Sequence, residues 1–245
     1  MCIIDGRCTS QLLTRDAVSS ASRMTAAGDM TLVLSGQTQN SGVIAAGRNL
    51  TITADNVAND TGAVIASLGG NLALDLYGVD GLANAGTLQT TGKGAALTIG
   101  AQALTNTATG GILSNGAQTL TVSGPLSNAG EITAYGSSLT VTAGAVANSN
   151  LLLAGSDLTL SAPGTVTNTG LIYGTRNATL TGGQFDNRNG QTGVGDGALT
   201  LAASSVDNSQ NGRIIAKNGT AVVTSARIAN DNGLIEAGSD LALYT

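Results

Sequence analysis

Fifteen carboxylates, ten basic side chains and two cysteines are the strongly reactive groups of this 245-residue chain, and it has no histidine. Without an imidazole there is no Ser-His-Asp or Cys-His nucleophilic centre and no histidine-bearing metal site. What remains is acid–base work by paired carboxylates, which needs Asp or Glu clustered in a groove with Arg or Lys beside them. The closest acidic pairs, Asp55/Asp60 and Asp75/Asp80, stand next to turn residues, where solvated turn aspartates are expected. Gly193-Val194-Gly195-Asp196-Gly197 has the form of a calcium-binding repeat turn. It occurs once, and such sites work by repetition. Gly92-Lys93-Gly94 lacks the upstream Gly and the Ser/Thr of a phosphate loop. Cys2 and Cys8 define neither a disulfide framework nor a zinc motif. The expectation is therefore no catalytic residue, no cofactor and no metal ligand.

Composition narrows the class further. Charged residues make up 10% of the chain, aromatic residues 2%, and the net charge is −5. The scattered basic residues leave no electrostatic footprint for nucleic acid. With 42% hydrophobic residues the chain is not a disordered polyelectrolyte. Its core must be built from Ala, Val, Leu and Ile, with 35 glycines to allow tight turns. A thin-cored stack suits that composition better than a large globule. The N-terminal MCIIDGRCTSQ has no basic region followed by an apolar run, so it does not read as a secretory signal. No stretch approaches the roughly 20 apolar residues of a membrane-spanning helix.

One Asn recurs through the chain: Asn40, Asn59, Asn84, Asn106, Asn128, Asn148, Asn168, Asn187, Asn208 and Asn230. The intervals run from 19 to 25 residues and average about 21. A Gly follows within a few residues, except after Asn148, where Asn150 takes the slot. Apolar–Thr–apolar triplets keep step: Leu50-Thr51-Ile52, Leu97-Thr98-Ile99, Leu120-Thr121-Val122, Leu139-Thr140-Val141, Leu158-Thr159-Leu160 and Leu199-Thr200-Leu201. Period-two alternation with β-branched residues is the strand pattern. A second apolar run follows each Gly, as in VIAAG at 43–47 and IIAKNG at 214–219.

A unit of about 20 residues cannot close a core alone; stacked copies can. The reading is all-β: a parallel β-helix, or β-solenoid, of about 20 residues per coil. Strands of three to five residues should pair with their copies one coil on. Residues 1–24 read as an irregular or degenerate N-terminal coil, and 25–245 as the solenoid, ending mid-coil at Leu241-Ala242-Leu243-Tyr244-Thr245. Loops should bulge at 77–82 and 188–197. The Asn series is expected to form a buried amide ladder rather than a binding stripe. The outward Thr row (Thr51, Thr98, Thr121, Thr140, Thr159, Thr179, Thr200) follows from β-propensity. Tyr135 and Tyr173, near one inter-strand turn, are the candidate contact residues, since aromatics favour interfaces. Uncapped ends should give end-to-end self-association.

The repeat resembles that of the filamentous haemagglutinin-like exoproteins. Residues 47–66, GRNLTITADNVANDTGAVIA, carry nearly all of its pattern, and 155–172 and 195–216 carry much of it. The resemblance extends over about residues 25–245. It implies a right-handed parallel β-helix and a non-enzymatic shaft of a secreted or cell-surface bacterial adhesin or contact-dependent inhibition effector. It also implies two-partner secretion through an outer-membrane transporter barrel, a virulence role, and a receptor or glycan on a host or neighbouring cell. A directly glycan- or receptor-binding face is the alternative, and a β-helical carbohydrate-active enzyme a more remote one.

Overall fold

The computed structural model describes residues 8–11, 17–18 and 22–245, the first two stretches as backbone. Much of the expected irregular coil over 1–24, Cys2 included, lies outside the described residues. Within it, Cys8–Gln11 pairs with Met30–Val33, and Arg23–Ala26 with Val43–Ala46.

One coil shows the logic of all. In Leu50–Ala54, the side chains of Leu50, Ile52 and Ala54 are buried while Thr51 and Thr53 face outward. Period-two alternation puts one face of the strand in the core. A one-residue corner, Asp55, leads to Asn56–Asn59, which buries Val57 and Asn59. The Gly62 turn, with φ +79°, leads to Val64–Ser67, which buries Ile65. The next coil then begins at Leu72. We call these the first, second and third faces.

Copies stack in parallel and in register. Leu50 pairs with Leu72 and Leu72 with Leu97 on the first face. Val57, Leu82 and Leu104 align on the second. The third face is an eleven-stranded sheet from Arg23–Ala26 to Leu234–Ala237, and the other two form one eighteen-stranded sheet. The described residues contain no helix. The core is a column of stacked layers: Ile44, Ile65, Leu88, Ile112, Ile132, Leu152 and Ile172 follow one another on the third face, each at most 2% exposed. Where the inward residue there becomes Thr192, the second face of the same coil supplies Phe185, the largest fully buried side chain.

Several sequence expectations need adjustment. Five strands, among them Gln118–Asn128 and Leu158–Asn168, run through the first corner and reach 9 to 11 residues. A bulge, as between Val122 and Pro125, bends the strand there without ending it. The triplet of the Asn128 coil is Gln118-Thr119-Leu120, not Leu120-Thr121-Val122, because Leu97 aligns with Gln118 and Ile99 with Leu120. The pattern was ambiguous since Leu120 and Val122 also alternate with Thr. The 188–197 stretch is no bulge: Gln191–Val194 is a regular third-face strand. The loop after Leu76 does project, and it spans residues 77–81.

Candidate functional site

The ten asparagines form one row at the turn between the second and third faces. Nine successive Nδ2-to-Oδ1 hydrogen bonds of 2.7–2.8 Å join Asn40 to Asn59, and so on to Asn230. All but Asn230 are buried. Except at Asn59, the side-chain amide also donates to a backbone carbonyl. Asn128 donates to Leu151 O at 2.9 Å and Asn168 to Gln191 O at 2.9 Å. The acceptor side also takes turn amides, such as Gly42 N on Asn40 at 3.2 Å. An amide has two protons and an oxygen with two lone pairs, so these bonds occupy it within the stack. Such a group has nothing left to offer a ligand.

A shorter, exposed row escaped sequence reading. At the corner between the third and first faces, Asn49 donates to Asp29 Oδ1 at 3.0 Å and accepts from Asn71 N at 2.9 Å. Asn71 in turn accepts from Ala96 N at 2.9 Å. Asn177 and Asp157 repeat the arrangement at 2.8 Å, as do Asn218 and Asp196. The signal was an Asp or Asn directly before or near several first-face strands, as at Asp29, Asn49, Asn71, Asp157 and Asn177, hidden by the stronger series. Arg176, 2.6 Å from Asp157, holds that carboxyl below its ordinary range, with help from Asn177.

The acidic pairs do not make a catalytic groove. Asp55 accepts from Gly36 N at 2.7 Å, and Asp60 from Gln39 Nε2 at 2.8 Å and Ser41 Oγ. Strand Asn56–Asn59 separates the two. Asp75 lies on the first face and accepts from Tyr77 Oη, while Asp80 sits in the following loop. Among the described residues no group of three His, Cys, Asp or Glu side chains is placed to hold a metal. The sequon residue Asn59 is buried in the amide row, whereas Asn49, Asn177 and Asn218 lie in the exposed row.

The outward Thr residues form two lanes rather than one. Thr98, Thr119, Thr140, Thr159, Thr179 and Thr200 align in the first. Thr121 belongs to the second, beside Thr142 and ahead of Ser161 and Thr181. Tyr135 is 46% exposed, and Tyr173 is half-buried. The tyrosines are two coils apart, but Tyr173 stands in register with Leu153 and Thr133, so Tyr135 lies two positions further along its strand. Tyr135 Oη donates to Glu131 Oε1 at 3.0 Å, and partial burial with this bond raises its pKa.

Sequence reading also missed what surrounds the tyrosines. The outward positions of the third face carry Leu113, Leu151, Leu153, Leu171, Ile215 and Leu234, all half-buried. Both faces of these strands are apolar, so the LLLA and LIYG runs read only as strand. One coil on from Tyr173, Gly193 leaves a depression of about 340 Å³ lined by Tyr173, Gln191, Arg213, Ile215, Lys217 and Glu236 among others. A second shallow hollow, about 300 Å³, lies on the second face between Arg188, Asp207 and Arg227. There Arg188 forms a 2.6 Å ion pair with Asp186 and pulls its carboxyl below the usual range.

Parallel coils in register, with an amide row along one corner and no assembled reactive centre among the described residues, define a β-solenoid repeat protein. The chain belongs to the haemagglutinin repeat family: that family's model matches residues 21–75, 133–196 and 194–243. The family is one of structural adhesin repeats, found in secreted or cell-surface proteins, and is not a known enzyme family. Comparison with curated proteins and with solved structures gave no match.

Proposed function

We propose that the chain is a non-enzymatic shaft segment of a secreted bacterial adhesin or contact-dependent inhibition exoprotein, and that the Asn row is its structural spine. The observation that carries this reading is the commitment of the repeated polar groups to bonds between coils. The amides that recur most regularly are the ones most fully buried and paired. A side chain repeated every coil and hidden from solvent serves the stack. Eleven third-face strands at ~4.8 Å per coil give a rod of about 50 Å. Such a rod carries whatever is attached beyond it away from the cell. Family membership supports export through an outer-membrane transporter barrel and a receptor or glycan on a host or neighbouring cell as the partner of the whole exoprotein.

The test places the chain between an outer-membrane anchor and a terminal tag and measures the height of the tag above the membrane. Inserting the chain should raise the tag by about 50 Å, and a variant with half the coils by about half that. A tag height that ignores coil number overturns the shaft reading. A second reading, a directly adhesive face, is favoured by the exposure of Tyr135 and the depression beside Tyr173. It predicts saturable binding of the purified chain to cells, lost in Tyr135→Ala and Tyr173→Ala.

A further inference from the structure

The outer surface of the third face is unusual for a solvated sheet. From Leu151 to Tyr173, its outward residues are Leu, Leu, Leu and Tyr. An antiparallel or solenoid sheet that meets water ordinarily alternates apolar-in with polar-out. Here both sides are apolar over adjacent coils, and charged residues bracket the patch asymmetrically. Glu131 stands one coil before Leu151, while Arg213 and Lys217 stand two coils after Leu171. Neither Arg213 nor Lys217 has an ion-pair partner among the described residues.

We propose that this face pairs with a second copy of the chain about a two-fold axis running parallel to the Leu171–Gly174 strand. That operation reverses the order of coils and leaves strand direction unchanged. Each residue then faces the one equally far on the other side of the Leu171 coil, at the same strand position. The registers fix the outcome. Glu131 meets Arg213 of the second copy, because both align with Leu171 two coils away in opposite directions. Tyr135 meets Lys217, since both directly follow the aligned Ala134 and Ala216. That pairing sets an ammonium over an aromatic ring. Leu153 meets Gly193, the one outward position whose missing side chain leaves the depression. Leu171 and Tyr173 sit on the axis and meet their own copies. Opposite charges, knob and hollow therefore coincide under a single symmetry operation, which an isologous contact requires.

Gly193 is also held small by the fold. A Cβ there would lie 2.5 Å from the Ile215 carbonyl oxygen, so the hollow is a fixed feature of the face. The footprint is about five coils at ~4.8 Å by four residues at ~3.3 Å, the scale of a weak and reversible contact. The pairing does not depend on the shaft reading. It would hold for this chain whatever the chain carries, and its test reads association, not tag height.

The experiment uses the full chain with Cys2→Ser and Cys8→Ser, examined by sedimentation equilibrium over a wide concentration range. A monomer–dimer equilibrium is expected. Glu131→Arg and Arg213→Glu should each raise the dimer dissociation constant about ten-fold by replacing attraction with repulsion at two symmetric places. Combining them should restore it to within about three-fold of the parent, because the swapped charges again face each other. A Leu171→Cys variant should give a covalent dimer with a short thiol cross-linker, and Thr140→Cys, on another face, should not. A chain that stays monomeric at every concentration overturns the proposal and leaves the face to a different partner. Association that the charge swaps leave unchanged also overturns it, since that is the behaviour of end-to-end stacking through open strand edges.

Discussion

Truncating Asn128 to Ala removes one rung from the middle of the amide row. The rung accepts from Asn106 Nδ2 at 2.8 Å and donates to Asn148 Oδ1 at 2.8 Å and Leu151 O at 2.9 Å. Three hydrogen bonds, two buried and one part-buried, at ~1 kcal/mol each give a loss of about 3 kcal/mol, and the orphaned Asn148 oxygen is buried away from water. For a chain of this size, each 1 kcal/mol moves Tm by roughly 2–4 °C. The expected drop is therefore about 6–12 °C. Asn230, at the end of the row, is exposed and loses only the bonds with Asn208 and Gly233 O. Water replaces both, so Asn230→Ala should move Tm by less than about 2 °C. Thermal melts of both variants are the first assay. Amide hydrogen exchange is the second, and it should accelerate in Glu131–Ala134 and Leu151–Ala154 for Asn128→Ala alone. Equal melting temperatures for the two variants would refute the reasoning, because they would mean the central amide does no more than the terminal one. Asn128→Asp sharpens the test. A carboxylate can accept from Asn106 but has no proton for Asn148 or Leu151. Burial raises its folded pKa, so the destabilisation is full above that pKa and eases as pH falls through it. The variant should approach the parent in stability between pH 7 and pH 4.

Other perturbations probe the packing. Gln118, 1% exposed, stands where neighbouring coils have Leu97 and Leu139, and its Oε1 has no hydrogen-bond partner. Gln118→Leu should stabilise the chain by about 1–3 kcal/mol, read as a higher urea midpoint. An unchanged or lower midpoint would count against it. Gly130→Ala puts a Cβ 2.2 Å from the Gly110 carbonyl oxygen and should cost more than about 2 kcal/mol. Gly136→Asn, at φ +68° with open space around it, should cost about 1 kcal/mol or less in the same urea titration. Asp186 has its folded pKa lowered by Arg188. The stability it contributes is present above the unfolded value near 3.9 and lost as pH falls through the lower folded value. Arg188→Ala should therefore flatten the acid limb of a stability–pH curve, and only slightly for so exposed a pair.

The strand alternation and the Asn spacing made the coil legible before any coordinates, because both arise from constraints every coil repeats. Leu50-Thr51-Ile52 must point two side chains inward, and Asn59 must sit where its neighbours' amides reach. Registers were harder to read. Leu120-Thr121-Val122 satisfies alternation as well as Gln118-Thr119-Leu120 does, and only pairing with Leu97 and Ile99 decides between them. A buried Gln in the Leu column is a choice that local pattern argues against. The apolar outer face was invisible for a related reason. In LLLA at 151–154, successive residues point to opposite sides, and alternation cannot say that the outward ones also lack polarity for a purpose. Columns across coils are a property of the stack, so Glu131, Leu153, Gly193 and Arg213 look unrelated along the chain.

Corner length and coil height are independent in this stack. The coil between Asn59 and Asn84 has 25 residues and that between Asn40 and Asn59 has 19, yet each adds one strand spacing to every face. The surplus residues leave sideways, at turns such as 77–81, and the columns continue past them undisturbed. A gene for such a chain can therefore gain or lose whole units by unequal recombination, and misaligned copies of unequal length still yield a continuous column. The chain's physical length therefore changes in discrete steps with each whole unit gained or lost, while surplus residues in a corner such as 77–81 leave it unchanged.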